Sequence, residues 1–320
     1  MQFVDLSDIT DPRLNLAVEE FLLREASGEF FLLYANAPSV IMGRNQVVWQ
    51  EVDVDYLQAH DLPLVRRLSG GGAVYHDVGN LNFSFVVDGR EGISDYGRFT
   101  APIIRALQQF GITATLNKSG ALFVGERKIS GHAQYAAANR LLSHGTLLFD
   151  ANMTHLRQSL KPPFNVTQSS GVPSVRSSVV NLVELLPDGV GLAELKAAIL
   201  QEVGVDAVYQ LPNWEAVEGL AQKYGTWEWN YGRSPKCVIE NSQTFAEGDV
   251  DVRIELEKGL IADITFYCAF FDKATPEPVA QKLRGVRYSR AAIFNCLQSV
   301  TLVDCFGKVD TQDFLKLLTC

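Results

Sequence analysis

The stretch Arg66-Arg67-Leu68-Ser69-Gly70-Gly71-Gly72-Ala73-Val74-Tyr75-His76-Asp77 sets three successive glycines between two short apolar segments. Residues 64–67 and 73–76 read as strands, so the glycines form the connection between them. Glycine admits φ > 0 and lets a ligand approach the backbone without Cβ obstruction. Successive N–H groups there can form a concave anion site, and two neighbouring arginines supply fixed positive charge. GxxxxGK[ST] is absent, so this is not a Walker loop. A third glycine at position 75 is absent too, which excludes the dinucleotide-binding fingerprint. Spacing alone leaves a plain hairpin connection and an anion cradle equally open.

Outward from this loop, Asp11-Pro12 places a cap and a first-turn proline before Leu14, Val18, Phe21 and Leu22, which predicts a helix to about Gly28. Residues 30–34 and 39–42 read as strands and 53–60 as a helix. Leu81, Phe83, Phe85 and Val87 alternate with Asn82 and Ser84, the period of a half-buried strand. Phe99, Ile103, Leu107 and Phe110 form a helical stripe that stops at Gly111. Strands follow at 112–116, 121–124, 128–130 and 141–149, then helices near 192–203 and 214–224. This succession predicts a mixed α+β sheet with helices on one side. Residues 161–178 are rich in Pro, Ser and Gly and read as a long loop, a length usually reserved for function. Trp227-Glu228-Trp229-Asn230-Tyr231-Gly232 leads to Pro235, which places a boundary between a domain 1–232 and a small α+β domain 233–320. In the latter, 251–257 and 260–267 flank Lys258-Gly259 as a hairpin, with helices near 278–283 and 290–300.

Two further motifs carry chemistry. Gly125-Glu126-Arg127-Lys128-Ile129-Ser130-Gly131-His132-Ala133-Gln134 puts a lysine at the start of a strand that runs into Ser-Gly, and His144-Gly145-Thr146-Leu147-Leu148 joins a turn to an apolar strand. Taken singly, a lysine is most often a solvated charge and a histidine most often structural. No H-x-x-x-H or paired-carboxylate pattern stands out, against a metal hydrolase or a glycosidase.

The bulk properties narrow the class. With 320 residues the chain exceeds the size at which single cores divide. A net charge of −9 argues against general nucleic-acid binding. No apolar run approaches the length that spans a bilayer, and the N-terminal residues lack signal-peptide character, so a cytoplasmic protein without a membrane partner is expected. The five cysteines all lie at 237 or beyond, with neither CxxC spacing nor an even count.

RRLSGGGAVYHD, KISGHAQ, SHGTLLFD and GVPSVRSSVVNL, in this order, together with MGRNQ at 42–46 and WEWNYG at 227–232, resemble the lipoate–protein ligase family in its long form with a C-terminal accessory domain. The resemblance implies a class II synthetase/biotin-ligase-like mixed sheet with flanking helices. It also implies a two-step reaction. Lipoate and ATP, with Mg²⁺, form lipoyl-adenylate, and a lysine of a carrier (a lipoyl domain or a glycine-cleavage H-type protein) then takes the acyl group. By the same resemblance Lys128 is the catalytic lysine. Arg67, Gly72, Ala73, Val74 and Tyr75 join it in holding the nucleotide, while Ser69, Gly71 and His144 join it in holding lipoate. An apolar tunnel for the acyl chain is expected from the sheet's inner residues. Where the family typically reads Arg-Asn-Asp-Leu, this chain has Ser119-Gly120-Ala121-Leu122. That difference keeps a non-catalytic or impaired lipoate-binding paralogue open as an alternative. A lipoyl or octanoyl transferase of the same fold would use a cysteine nucleophile, and residues 1–236 contain none.

Overall fold

Two nine-residue strands, Asn80–Asp88 and Arg140–Leu148, lie antiparallel in register from Arg140 opposite Asp88 to Leu148 opposite Asn80. They form the centre of a six-stranded sheet in a computed structural model that describes residues 1–268, 276–307 and 309–319. The order across the sheet is His132–Ala137, Arg140–Leu148, Asn80–Asp88, Phe30–Ala35, Gln2–Asp5 and Ala207–Val208. The last two pairings are parallel and the others antiparallel, giving the expected mixed α+β sheet.

The alternation in Asn80–Asp88 separates two buried faces rather than core from solvent, because its first eight residues are all buried. Phe83, Phe85 and Val87 pack with Phe31, Leu33 and Leu147 against Phe99, Ile103 and Leu107 of the helix Tyr96–Gln109 and Leu195 and Ile199 of the helix Leu192–Val203. Each ring so buried contributes on the order of 2–3 kcal/mol. The opposite face carries Ser84 and His144, and the helix Pro12–Arg24 lies over it. Helices therefore cover both faces, not one. An apolar face filled by helices on one side leaves the other free to carry polar groups.

Local chemistry explains the element ends. Asp11 caps Pro12–Arg24 by accepting from Arg13 N–H at 2.8 Å, with proline in the first turn. At its far end the buried Arg140 guanidinium donates to the carbonyls of Leu22, Ala26 and Gly28. The strand His132–Ala137 was not evident from its alanine-rich sequence. It forms because Ala138 and Asn139, at φ 50° and 56°, close a tight hairpin onto Arg140–Leu148.

Two compact units divide the chain, and neither is continuous. One comprises Met1–Arg44, Leu62–Arg157 and Ser174–Thr226; the other comprises Asn45–Asp61, Gln158–Pro173 and Trp227–Cys320. The second unit thus begins near the boundary read at 232/233 but also draws in two earlier segments. It holds an antiparallel sheet in the order Val166–Ser169, Cys237–Phe245, Gly248–Glu257, Leu260–Tyr267. The segment read as a long loop therefore contains a strand. Within this unit Trp49, 1% exposed, lies with its ring centroid 5.3 Å from that of Tyr288, and Phe266, Phe306 and Phe314 cluster together. Among the described residues no helix is long and apolar enough to cross a membrane.

Candidate active site

Lys128 lies on the strand Arg127–Ser130, which folds back on Leu122–Val124 at Gly125 (φ 58°). Its free edge is taken by the chain at 178–180: Lys128 N–H donates to the Ser178 carbonyl at 2.8 Å, and Val180 N–H donates to the Lys128 carbonyl at 3.1 Å. The ammonium lies against Gly131, where an added Cβ would stand 3.5 Å from Nζ. Burial, and then the nearby charge of Arg67, hold its pKa below the usual lysine value.

Arg67 organises the glycine loop from inside. Its Nε donates to Ser69 Oγ at 2.9 Å, Nη1 to the Ile41 carbonyl at 3.1 Å, and Nη2 to the Gly70 and Gly72 carbonyls at 2.6 and 2.9 Å. Burial pushes its pKa down to about 10, although the charges of Glu19 and Tyr34 act to raise it. Gly71 has φ 87°, and a side chain there would meet Arg67 Nη2 at 2.9 Å. Ala73 N–H donates to Ser174 Oγ at 3.0 Å, and a Cβ on Gly72 would stand 2.8 Å from the same oxygen. Val74 and Tyr75 pair with Ile41 and Val40 in a small sheet, and the buried Tyr75 ring stacks on His155.

Ser69 and His144 meet, with Oγ 2.7 Å from Nε2, and His144 Nδ1 lies 2.9 Å from Glu19 Oε2. Ser69 Oγ accepts from Arg67 Nε, and the Nδ1 proton of His144 points to Glu19. Tyr34 and Ser84 hydroxyls also donate to Glu19. Burial alone would raise the Glu19 pKa. The charge of His144 and the hydrogen bonds outweigh it, and the carboxyl stays below the usual range. Gly71 approaches this relay through Ala133, which pairs with His144. Lys128, Arg67, Ser69, Gly71, Gly72, Ala73 and His144 thus belong to one unit.

Glu19 and Ser174 were not singled out from the sequence. The signal for Glu19 was present, since Asn15 and Glu19 stand four apart on the same helix among Leu16, Val18 and Leu22, and both are buried. Ser174 carried none beyond its place in a Ser-rich segment. The Ser119-Gly120-Ala121 turn is closed by Asn117, whose Oδ1 accepts from Ser119 N–H, Ser119 Oγ and Ala121 N–H. Gly120 has φ 85° and a Cβ there would come within 2.6 Å of the Tyr96 ring, so Tyr96 fills the space a larger residue would need. Among the described residues no group of three or more His, Cys, Asp or Glu could hold a metal ion.

A half-buried ammonium near the arginine that holds a glycine loop, in a unit without cysteine, suits an enzyme that handles anionic groups by charge and hydrogen bonds rather than through a thiol. Comparison with known proteins agrees with that class. Residues 11–204 match the lipoyl protein ligase A/B catalytic domain, and residues 234–318 match the bacterial lipoate protein ligase C-terminus. The lipoate-protein ligase LplJ of Bacillus subtilis (strain 168) is 38% identical over 330 residues, covering 99% of this chain and all of that one. A T. acidophilum chain described as a lipoate protein ligase, solved with bound lipoic acid, superposes with TM-score 0.60 at 26% identity over 72% of this chain and 98% of that one. A lipoate-protein ligase A structure bound with ATP gives 0.59 at 26% identity over the same shares. The chain therefore belongs to the lipoyl protein ligase A/B family of ligases, in the form that also carries the C-terminal region.

Proposed function

We propose that this chain activates lipoate with ATP and transfers the acyl group to a lysine of a carrier protein in the cytoplasm. The observation that carries the reading is the placement of Lys128. Its half-buried ammonium lies against Gly131 within reach of the charge of Arg67, which holds the glycine loop whose Ala73 N–H is held only by the Ser174 hydroxyl, among the bonds described. The lipoic acid and ATP found in related structures support the choice of substrates.

In the first step a lipoate carboxylate oxygen attacks the α-phosphorus of ATP, and pyrophosphate leaves. Lys128 stabilises the charge on the α-phosphate and on the carbonyl oxygen together, a task suited to a compact, desolvated cation. Backbone N–H groups at Gly72 and Ala73 take phosphate oxygens once Ser174 gives way. Arg67 acts at one remove, by fixing the loop carbonyls so that the N–H groups face outward. Ser69, Gly71 and His144 shape the acid pocket. In the second step the neutral amine of the carrier lysine attacks the acyl carbon, AMP leaves, and the nitrogen loses a proton to give the amide.

Among the described residues no cluster of His, Cys, Asp or Glu forms a dedicated Mg²⁺ cage. Magnesium fits this chain as an ion carried in by the nucleotide's phosphates and waters. The carrier is a lipoyl domain or an H-type protein by chemistry, since either offers an exposed lysine. A thioester route is disfavoured: every cysteine lies outside the unit of Lys128, and burial pushes the Cys237 thiol up to about 12. ATP–pyrophosphate exchange measured side by side with lipoate, octanoate and biotin tests the reading. Exchange with lipoate is expected; its absence with all three acids would leave a binding protein.

A further inference from the structure

The helix Tyr96–Gln109 turns Phe99, Ile103 and Leu107 onto the sheet. Its flank carries Arg98, Ala101, Pro102 and Arg105, spaced i, i+3, i+4 and i+7, so two arginines bracket two short side chains. The short residues leave room against the end of the helix Leu192–Val203. A cleft of about 210 Å³ opens there, and Phe85, Val87 and Phe99 line it while remaining almost wholly buried. That is ample for one small ring, since a cavity of about 150 Å³ holds benzene. These three side chains belong to the helix-covered apolar face of the sheet, opposite the face that carries Ser84 and His144.

The charges that line the cleft are not equivalent. Arg105 Nε donates to Glu202 Oε2 at 2.7 Å and Gln109 Nε2 donates to Glu202 Oε1 at 2.8 Å, so both oxygens of that carboxylate are engaged. The Arg98 guanidinium instead lies over the Phe99 ring, with Cζ 5.1 Å from the centroid, and among the described residues it forms no ion pair. A cation without a counter-charge beside an apolar lining favours an anion whose body is apolar. The body displaces water from Phe85 and Val87, and a carboxylate matches the two parallel N–H groups of a guanidinium. We propose that this cleft is a second binding site, separate from the one at Lys128, for a small monocarboxylate with an apolar ring or short chain. Arg98 receives the carboxylate, and Phe85, Val87 and Phe99 receive the body. The charge of Glu202 selects against a second carboxylate on the ligand.

The test reads binding alone and is indifferent to the reaction at Lys128. Phenylacetate is titrated into the full-length protein while the methyl NMR signals of Val87, Ala101 and Val203, which line the cleft, are followed. Saturable shifts are expected, with a Kd on the order of 1 mM for a ligand of about ten non-hydrogen atoms. Phenylacetamide, which lacks the charge, should bind about fivefold more weakly, and Arg98→Gln should weaken phenylacetate by about the same factor, the upper range for an exposed ion pair. Ala101→Phe fills the cleft and should abolish the shifts at Val87 and Val203. The proposal is overturned if the three signals stay still up to about 20 mM acid, well beyond that Kd. It is also overturned if Arg98→Gln and phenylacetamide bind as wild type and phenylacetate do. Shifts that persist at Val87 and Val203 in a folded Ala101→Phe variant would place the acid elsewhere and overturn it equally.

Discussion

Ser174 Oγ accepts the Ala73 N–H at 3.0 Å, so a serine hydroxyl stands where the glycine loop would otherwise offer that group to an anion. Ser174 lies four residues before Ser178, whose carbonyl takes the Lys128 N–H. One short segment thus touches both the glycine loop and the lysine strand. Any ligand that takes the Ala73 N–H has to displace Ser174.

Ser174→Ala removes the competitor and is expected to lower the KM for ATP about threefold, the effect of one modest hydrogen bond. Gly72→Ala presses a methyl group onto Ser174 and is expected to destabilise the loop, while Gly72→Ala with Ser174→Gly restores it. Thermal melts and ATP titrations of the three variants check the pair. A higher KM for ATP in Ser174→Ala would mean that the hydroxyl supports the bound state instead.

Lys128→Ala is expected to lower both pyrophosphate exchange and transfer from supplied lipoyl-adenylate by roughly 10²–10³-fold, because the same charge serves both transition states. Lys128→Arg should rescue poorly, since a planar fork does not fit the place against Gly131 occupied by a compact ammonium. Because the lysine pKa lies below 10.5 in the folded protein, wild-type exchange should fall on the alkaline side as that proton is lost. Near-normal single-turnover transfer by Lys128→Ala would confine the lysine to the first step.

The parts of the site that announced themselves were those whose chemistry is local. Gly70-Gly71-Gly72 needs only adjacent residues to make a connection, and that connection lies between the strands Leu64–Arg66 and Val74–His76 where it was expected. Glu19 is different, because its meaning comes from His144, which is 125 residues away. The strand Asn80–Asp88 shows the same limit: period two marks its two faces, but only tertiary packing shows that both are covered. The strand Cys237–Phe245 was missed because its second half, Asn241-Ser242-Gln243-Thr244, is polar and faces outward in part. No local pattern could assign 45–61 and 158–173 to the second unit, since their membership depends on residues beyond 227.

His76 and His132 give the protein an acid weakness. Burial is the first cause of both low pKa values, about 3 in each case; Arg67 and His144 add to it for His76, and His144 for His132. The unfolded chain binds these protons near pH 6.5 and the folded chain does not. Stability is therefore complete above 6.5 and falls as pH drops toward 3, by about 1.4 kcal/mol per pH unit for each histidine. Urea melts between pH 7 and 5 should show this before carboxylates contribute. His132→Phe should reduce the slope by about one proton; an unchanged slope would show that His132 is protonated in the native state.

Removal of residues 233–320 strips partners from segments that precede residue 232. The strand Val166–Ser169 would lose its ladder partner Cys237–Phe245. Trp49 and Phe164 would lose Tyr288, whose ring lies 5.3 and 6.0 Å from theirs. Val48 N–H would lose Ser234 Oγ, and Asp55 would lose Arg290. Uncovering a single large aromatic costs about 2–3 kcal/mol, against a total stability of about 5–15 kcal/mol for a typical domain. The truncated chain 1–232 is thus expected to melt well below the full protein, and protease should cut first within 45–61 and 158–173. Differential scanning calorimetry and limited proteolysis with mass spectrometry read both outcomes. A truncated chain that melts cooperatively within a few degrees of the full protein, with both segments resistant, would return those segments to the first unit.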